Sequence, residues 1–102
     1  VSSKKNAHPG EILARQFMEP AELSANALAR ELGVPPNRIS SIINGSRGLT
    51  ADTALRLARY FKTTPEFWMD LRNNYELAQA RAESGKEYAD IKPGPKISEA
   101  AE

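Results

Sequence analysis

Between Leu23 and Gly45 the chain reads LSANALARELGVPPNRISSIING: a capped apolar helix, a turn carrying glycine, and a second short helix. This stretch restricts the fold most tightly, because two short helices joined by so brief a turn must cross and bury their facing sides. Ser24 is placed as an N-cap, its hydroxyl accepting an orphan amide two or three residues on, with Leu23 and Leu28 at the N′ and N4 positions of a hydrophobic staple. Leu28, Ala29 and Leu32 fall on one face of a 3.6-residue period, and Gly33 follows where a positive φ lets the chain leave the helix. Ala29 is small enough to let the two axes approach at the crossing. Pro35 and Pro36 suit the start of the next helix, since a first-turn proline gives up only an amide that lacks a partner anyway. Ile39, Ile42 and Ile43 form the buried stripe expected of that helix, which turns Asn37, Arg38, Ser40 and Ser41 outward. The layout is that of a helix-turn-helix. Its expected use is sequence-specific binding of DNA, with those four side chains as base-reading candidates.

At 102 residues the chain fits one domain, large enough to hold a helical core without staples. It has no cysteine, which excludes a disulfide framework, a thiolate metal site and a cysteine nucleophile. No apolar run approaches the roughly 18 residues of a membrane span, so a soluble, cytoplasmic protein is expected. A net charge of +1 hides an asymmetry. Between Gly33 and Lys62, Arg38, Arg47, Arg56, Arg59 and Lys62 stand against Asp52 alone, whereas from Glu87 onward Lys92 and Lys96 face Glu87, Asp90, Glu99 and Glu102. Positive charge therefore gathers around the reading helix, where phosphates would lie.

The rest of the chain reads as helix. A first helix begins at Pro9 with Glu11 near its positive end, buries Ile12, Leu13 and Phe17, and is expected to end at Pro20. Thr50 caps a fourth helix whose apolar face is Ala54, Leu57, Ala58 and Phe61. Thr64, Pro65 and Glu66 repeat the start signal for a fifth, expected to run to about Ser84 or Gly85. The fold class is all-α, a five-helix bundle. Residues 1–7 are expected to be disordered, 8–84 to form the helix-turn-helix domain with a C-terminal dimerisation helix, and 85–102 to be a flexible arm. Trp68, Leu71, Tyr75, Ala78 and Ala82 recur at spacings of three and four, the seam of a helix packed along its length on another. Phe67 lies off that seam. The expectation is that Phe67 docks on the domain core while Trp68 and Tyr75 anchor a partner subunit, giving a homodimer whose two reading helices lie about 34 Å apart.

Catalysis finds little to build on. His8 is the single histidine, and a role in starting the first helix suits it better than one as base or metal ligand. Glu66 and Asp70 share a helix face at a spacing that can hold a metal, but no histidine stands beside them and Glu66 already suits a helix start. No enzyme, metal or cofactor is expected.

The runs HPGEILARQFMEP and LSANALARELGVPPNRISSIINGSRGLTADTALRLARYFKTTPEFWMDL resemble the HigA antitoxins, also called the VapI type, within the XRE helix-turn-helix proteins related to phage repressors. The resemblance spans His8 to about Ala80. It implies a phage-repressor-like domain in a dimer that binds its own operator, represses transcription, and binds a toxin of the HigB class, an RNA-cleaving enzyme of the RelE-like superfamily. Carried over by position, Pro36, Asn37, Arg38, Ser40 and Ser41 match the reading helix, and Ser46, Arg47 and Thr50 match a phosphate-contact loop ending at a helix N-terminus. The family usually has Gln directly after the N-cap serine, where it clamps a phosphate; Ala25 stands there here, so either the affinity is lower or Ser24 or Asn26 takes over that contact. Arg38 either forks onto a guanine edge or touches only phosphate, and Asn37 is suited to an adenine edge. Two alternatives are a solitary or phage-type XRE repressor without a toxin, and a helix-turn-helix that serves as a protein-interaction module.

Overall fold

The computed structural model describes residues 7–95. Residues 1–6 and 96–102, parts of the two expected flexible ends, lie outside the described residues. Among those described there are five helices and no strand, as the apolar periodicities predict.

Helix α1 covers residues 9–21 in three pieces: α-helical Pro9–Ile12, π-helical Leu13–Met18 and α-helical Glu19–Ala21. Pro20 explains the widening. It has no N–H and its ring crowds the carbonyl four residues back, a clash that a π turn relieves. The Glu19 amide accordingly donates to the Ala14 carbonyl, five residues back. The helix passes Pro20 by one residue before Glu22 takes a left-handed conformation, φ 56°.

Helix α2 (Ala25–Leu32) starts as the sequence predicts, with Ser24 Oγ accepting from the Ala27 amide at 3.0 Å. Gly33 ends it at φ 73°, and the Val34 amide closes back on the Ala29 carbonyl at 3.0 Å. This is the αL termination that glycine adopts without steric cost. Helix α3 (Pro36–Ile43) follows at once, then α4 (Ala51–Phe61), capped by Thr50, and α5 (Pro65–Ala89), capped by Thr64. Helix α5 outlasts its expected end. Ser84 breaks the helical dihedrals at φ −137° and ψ 23°, where the sequence signals a stop, but helix resumes as far as Ala89.

The core lies where α1 to α4 and the first turn of α5 meet. Leu13, Leu28, Ala29, Ile39, Ile42, Leu57 and Trp68 are each 0% exposed. Ile43, the third member of the α3 stripe, is only half-buried and packs at the core's edge.

Trp68 requires a correction. It is buried in the chain's own core and is no anchor for a partner, while Phe67 is the residue left exposed. Pro65 fixes where α5 begins, and adjacent residues on a helix point about 100° apart, so one of the two must face outward. Trp68 wins because its indole N–H donates to Thr63 Oγ1 at 2.7 Å, which lets the larger ring be buried with its polar atom satisfied. Phe17 lies against it at 4.8 Å between ring centroids and Phe61 closes the cluster, 5.1 Å from Phe17. Of the remaining seam, Leu71 packs on the core, Tyr75 and Ala78 are half-buried and Ala82 is exposed.

Candidate nucleic-acid interface

Helix α3 is held differently at its two ends. At its start, Pro36, Asn37 and Ser40 are exposed, with the Ser40 hydroxyl pointing back to the Asn37 carbonyl at 3.4 Å. Ser41 is half-buried because its carbonyl gathers the following loop: the amides of Ser46 and Arg47 donate to it at 3.0 and 3.1 Å. Arg38, like Ser41, is only partly exposed, and it is the one of the four outward candidates held by an ion pair. Its side chain is 27% exposed, and Nη1 donates to Oδ2 of Asp52 at 2.8 Å.

Asp52 sits in the first turn of α4 and accepts on the same oxygen from Arg56 Nε at 3.0 Å. Arg56 Nη1 in turn donates to the Leu32 carbonyl at 2.8 Å, the last residue of α2. One carboxylate thus links the three helices. The hydrogen bond from Arg56 is the main cause that holds the Asp52 carboxyl below its ordinary value; desolvation opposes it, and the charge of Arg56 and then the bond and charge of Arg38 lower it further. The charge pattern of the sequence sets Arg38 and Arg56 against Asp52 in number but does not reveal this bond. The Asp52 and Arg56 spacing of four was visible, but Arg38 lies 14 residues away and only the tertiary fold brings it in.

At the far end of α3, the contact is backbone against backbone. A Cβ added at Gly10 would run into the carbonyl oxygen of Ile42, so only glycine allows α1 to press this closely on the end of α3. His8 fixes the approach. Its Nδ1 accepts from the Gly10 amide at 2.9 Å as the N-cap of α1, its Nε2 edge lies near Gly45, and its ring meets Tyr75 edge-on at 4.9 Å. The expected helix-start role is therefore met, and Tyr75 finds a neighbour within its own chain. Nδ1 as acceptor leaves the proton of the neutral ring on Nε2.

The loop after α3 is folded by its own side chains. Asn44 Oδ1 accepts from the Ser46 amide at 2.9 Å and from its hydroxyl at 2.8 Å, a local turn of the kind asparagine favours. Arg47 projects from that loop, exposed and in none of the ion pairs found among the described residues, which involve Arg15, Arg38, Arg56 and Arg72. Thr50 is exposed, with Oγ1 accepting from the Thr53 amide at 3.3 Å. Ser24 and Asn26 are exposed at the start of α2. The Ser24 oxygen is used as cap acceptor while its O–H stays free to donate.

Residues 15–68, more than half of the chain, match the family model HTH_3, described as helix-turn-helix. This chain belongs to the helix-turn-helix family. Within it, the chain is 49% identical over 73 residues to virulence-associated protein I of Dichelobacter nodosus, covering 72% of this chain and 68% of that one. It is 38% identical over 84 residues to antitoxin HigA-1 of Vibrio cholerae, covering 82% and 79% of the two chains. The solved structure of Pseudomonas aeruginosa antitoxin HigA with the higBA promoter superposes at a TM-score of 0.82 with 44% identity, covering 86% of this chain and 97% of that one. The resemblance to HigA and VapI proteins is therefore to true relatives. No helix among the described residues is long and apolar enough to cross a membrane.

Proposed function

We propose that this chain is a HigA-type antitoxin that binds its own operator through α3, represses its operon, and binds a HigB-like RNA-cleaving toxin. The observation that carries the reading is the polar, solvent-facing start of α3 above the fully buried Ile39 and Ile42, on a backbone that superposes on an antitoxin solved with promoter DNA. Pro36, Asn37, Arg38, Ser40 and Ser41 are the base-reading set; Ser24, Asn26, Ser46, Arg47 and Thr50 contact phosphate. Residues 8–84 make up the DNA-binding and dimerising unit, with Leu71, Tyr75, Ala78 and Ala82 of α5 supplying the dimer face. Nothing in the polar face resembles a catalytic constellation, and the role assigned is non-enzymatic and cytoplasmic.

The test is a titration of the full chain onto a duplex from its own upstream region and onto a shuffled duplex of equal length. Preference for the first is expected, with log affinity falling against log salt at a slope near −0.9 per phosphate neutralised. Equal binding to both duplexes overturns operator recognition. Co-purification with the product of the neighbouring gene checks the toxin arm, and its absence favours a solitary repressor.

A further inference from the structure

Resting on that reading, we infer that Asp52 is a specificity-determining residue: its carboxylate sets the Arg38 guanidinium in one orientation, so that Arg38 reads a base edge in place of gripping phosphate. The argument begins with which donors the bond consumes. Asp52 Oδ2 takes Nη1 of Arg38 and leaves the edge formed by Nε and Nη2 without a hydrogen-bond partner among the described residues. That edge carries two parallel N–H donors, the arrangement that matches O6 and N7 of a guanine in the major groove. A guanidinium held by one corner thus keeps its recognition edge.

The anchor is itself anchored. Asp52 lies in the first turn of α4, where a negative charge is favoured, and the same oxygen is held by Arg56, whose other donor is tied to the end of α2. An arginine with four rotatable bonds on a helix surface would otherwise sweep a wide arc and find whichever phosphate lay nearest, on any sequence. Restraint removes that freedom before binding, which lowers the ordering cost for the base contact and withdraws the charge from indiscriminate phosphate contacts. Asp52 itself is a negative charge beside the nucleic acid, so it also penalises every duplex that offers no compensating base edge. It touches no base in this scheme and acts through Arg38.

The deciding experiment measures the affinity of the wild type, Asp52→Asn, Arg38→Ala and the double variant for a duplex from the chain's own upstream region, for the same duplex with each base pair replaced in turn, and for a shuffled duplex. Asp52→Asn keeps the shape and removes the charge. Binding to the shuffled duplex is expected to strengthen severalfold, while discrimination at a single G·C pair relaxes on the order of tenfold. Arg38→Ala is expected to relax the same pair. In the Arg38→Ala background, Asp52→Asn should change discrimination no further, whereas a structural role that shifts α3 would relax it again; a purely long-range electrostatic role would strengthen all duplexes alike and leave discrimination unchanged even with Arg38 in place. Unchanged discrimination in Asp52→Asn, with the wild type still preferring its own site, overturns the assignment of Asp52 alone. Absence of any site preference in the wild type overturns it together with the operator reading. Relaxation at a base pair that Arg38→Ala leaves untouched also overturns it.

Discussion

The two ends of α3 are secured by opposite means. At the first turn, Arg38 meets Asp52 through a charged bond whose carboxylate is 55% exposed, so water screens it and it adds little to stability while still orienting the guanidinium. At the last turn, the Gly10 backbone lies against Ile42, with no side chain between them to adjust. A solvent-exposed bond suits the end that, under the proposed function, trades water for a base edge. The opposite end then has to be immovable, because a helix that slides by about an ångström loses every contact it is meant to make.

The sharpest way to break this contrast is to put a side chain where none fits. Gly10→Ala places a methyl group on the Ile42 carbonyl, and since the obstacle is backbone it cannot swing aside. A loss of about 3 kcal/mol of stability is expected, the upper end of overpacking costs, readable as a lower denaturant midpoint with unchanged slope. A variant as stable as the wild type would mean that α1 is not the fixed support.

Arg38→Ala probes the other end and should behave in the reverse manner. Its ion pair is partly exposed, so stability should change by less than about 1 kcal/mol. Discrimination at one base pair should fall by about 1–3 kcal/mol in a panel of single-pair substitutions. Arg47→Ala, from the exposed loop, should weaken all sequences alike and reduce the salt slope by about 1.

How far the sequence reveals this arrangement depends on the range of the interaction. The Ser24, Thr50 and Thr64 caps and the glycine stop at Gly33 are local, and each is found where its residue type predicts. The buried faces of α2 and α4 follow from a 3.6-residue period and are equally legible. The errors fall where two local readings are both permissible. Trp68 and Phe67 are neighbours at the start of a helix, and only the Thr63 hydroxyl decides which one turns inward. Asp52 reads as a first-turn acid, which it is, but its bond to Arg38 depends on how α4 lies beside α3. Gly10 carries no pattern at all. Its meaning is the absence of a Cβ at a contact between helices that are 32 residues apart in the chain.

His8→Ala tests how the rigid end is set up. It removes the cap bond to Gly10 and the edge contact with Tyr75, and a loss of about 1 kcal/mol is expected in chemical denaturation. His8→Asn restores a capping oxygen without the ring. Partial recovery would separate the cap from the aromatic contact, and none would assign the effect to Tyr75.

The smallest expected effect lies at the adjustable end and is read through pH. Asp52 is depressed in the folded chain, so folding stabilises its ionised form; that contribution is complete above the ordinary carboxylate range. It is lost as pH falls through that range toward the lower folded value, where the protonated carboxyl no longer attracts Arg56 and Arg38. Wild-type melting temperature should therefore drop more steeply than that of Asp52→Asn between about pH 5 and about pH 3, with the two variants running parallel above this window. The gap should be small because the carboxylate is more than half exposed and solvent already screens it. Parallel melting curves across the whole range would place the bond's importance in orienting Arg38 and not in holding α3 to α4. A large gap would reverse the contrast between the two ends and make the charged turn a structural support as firm as the one at Gly10.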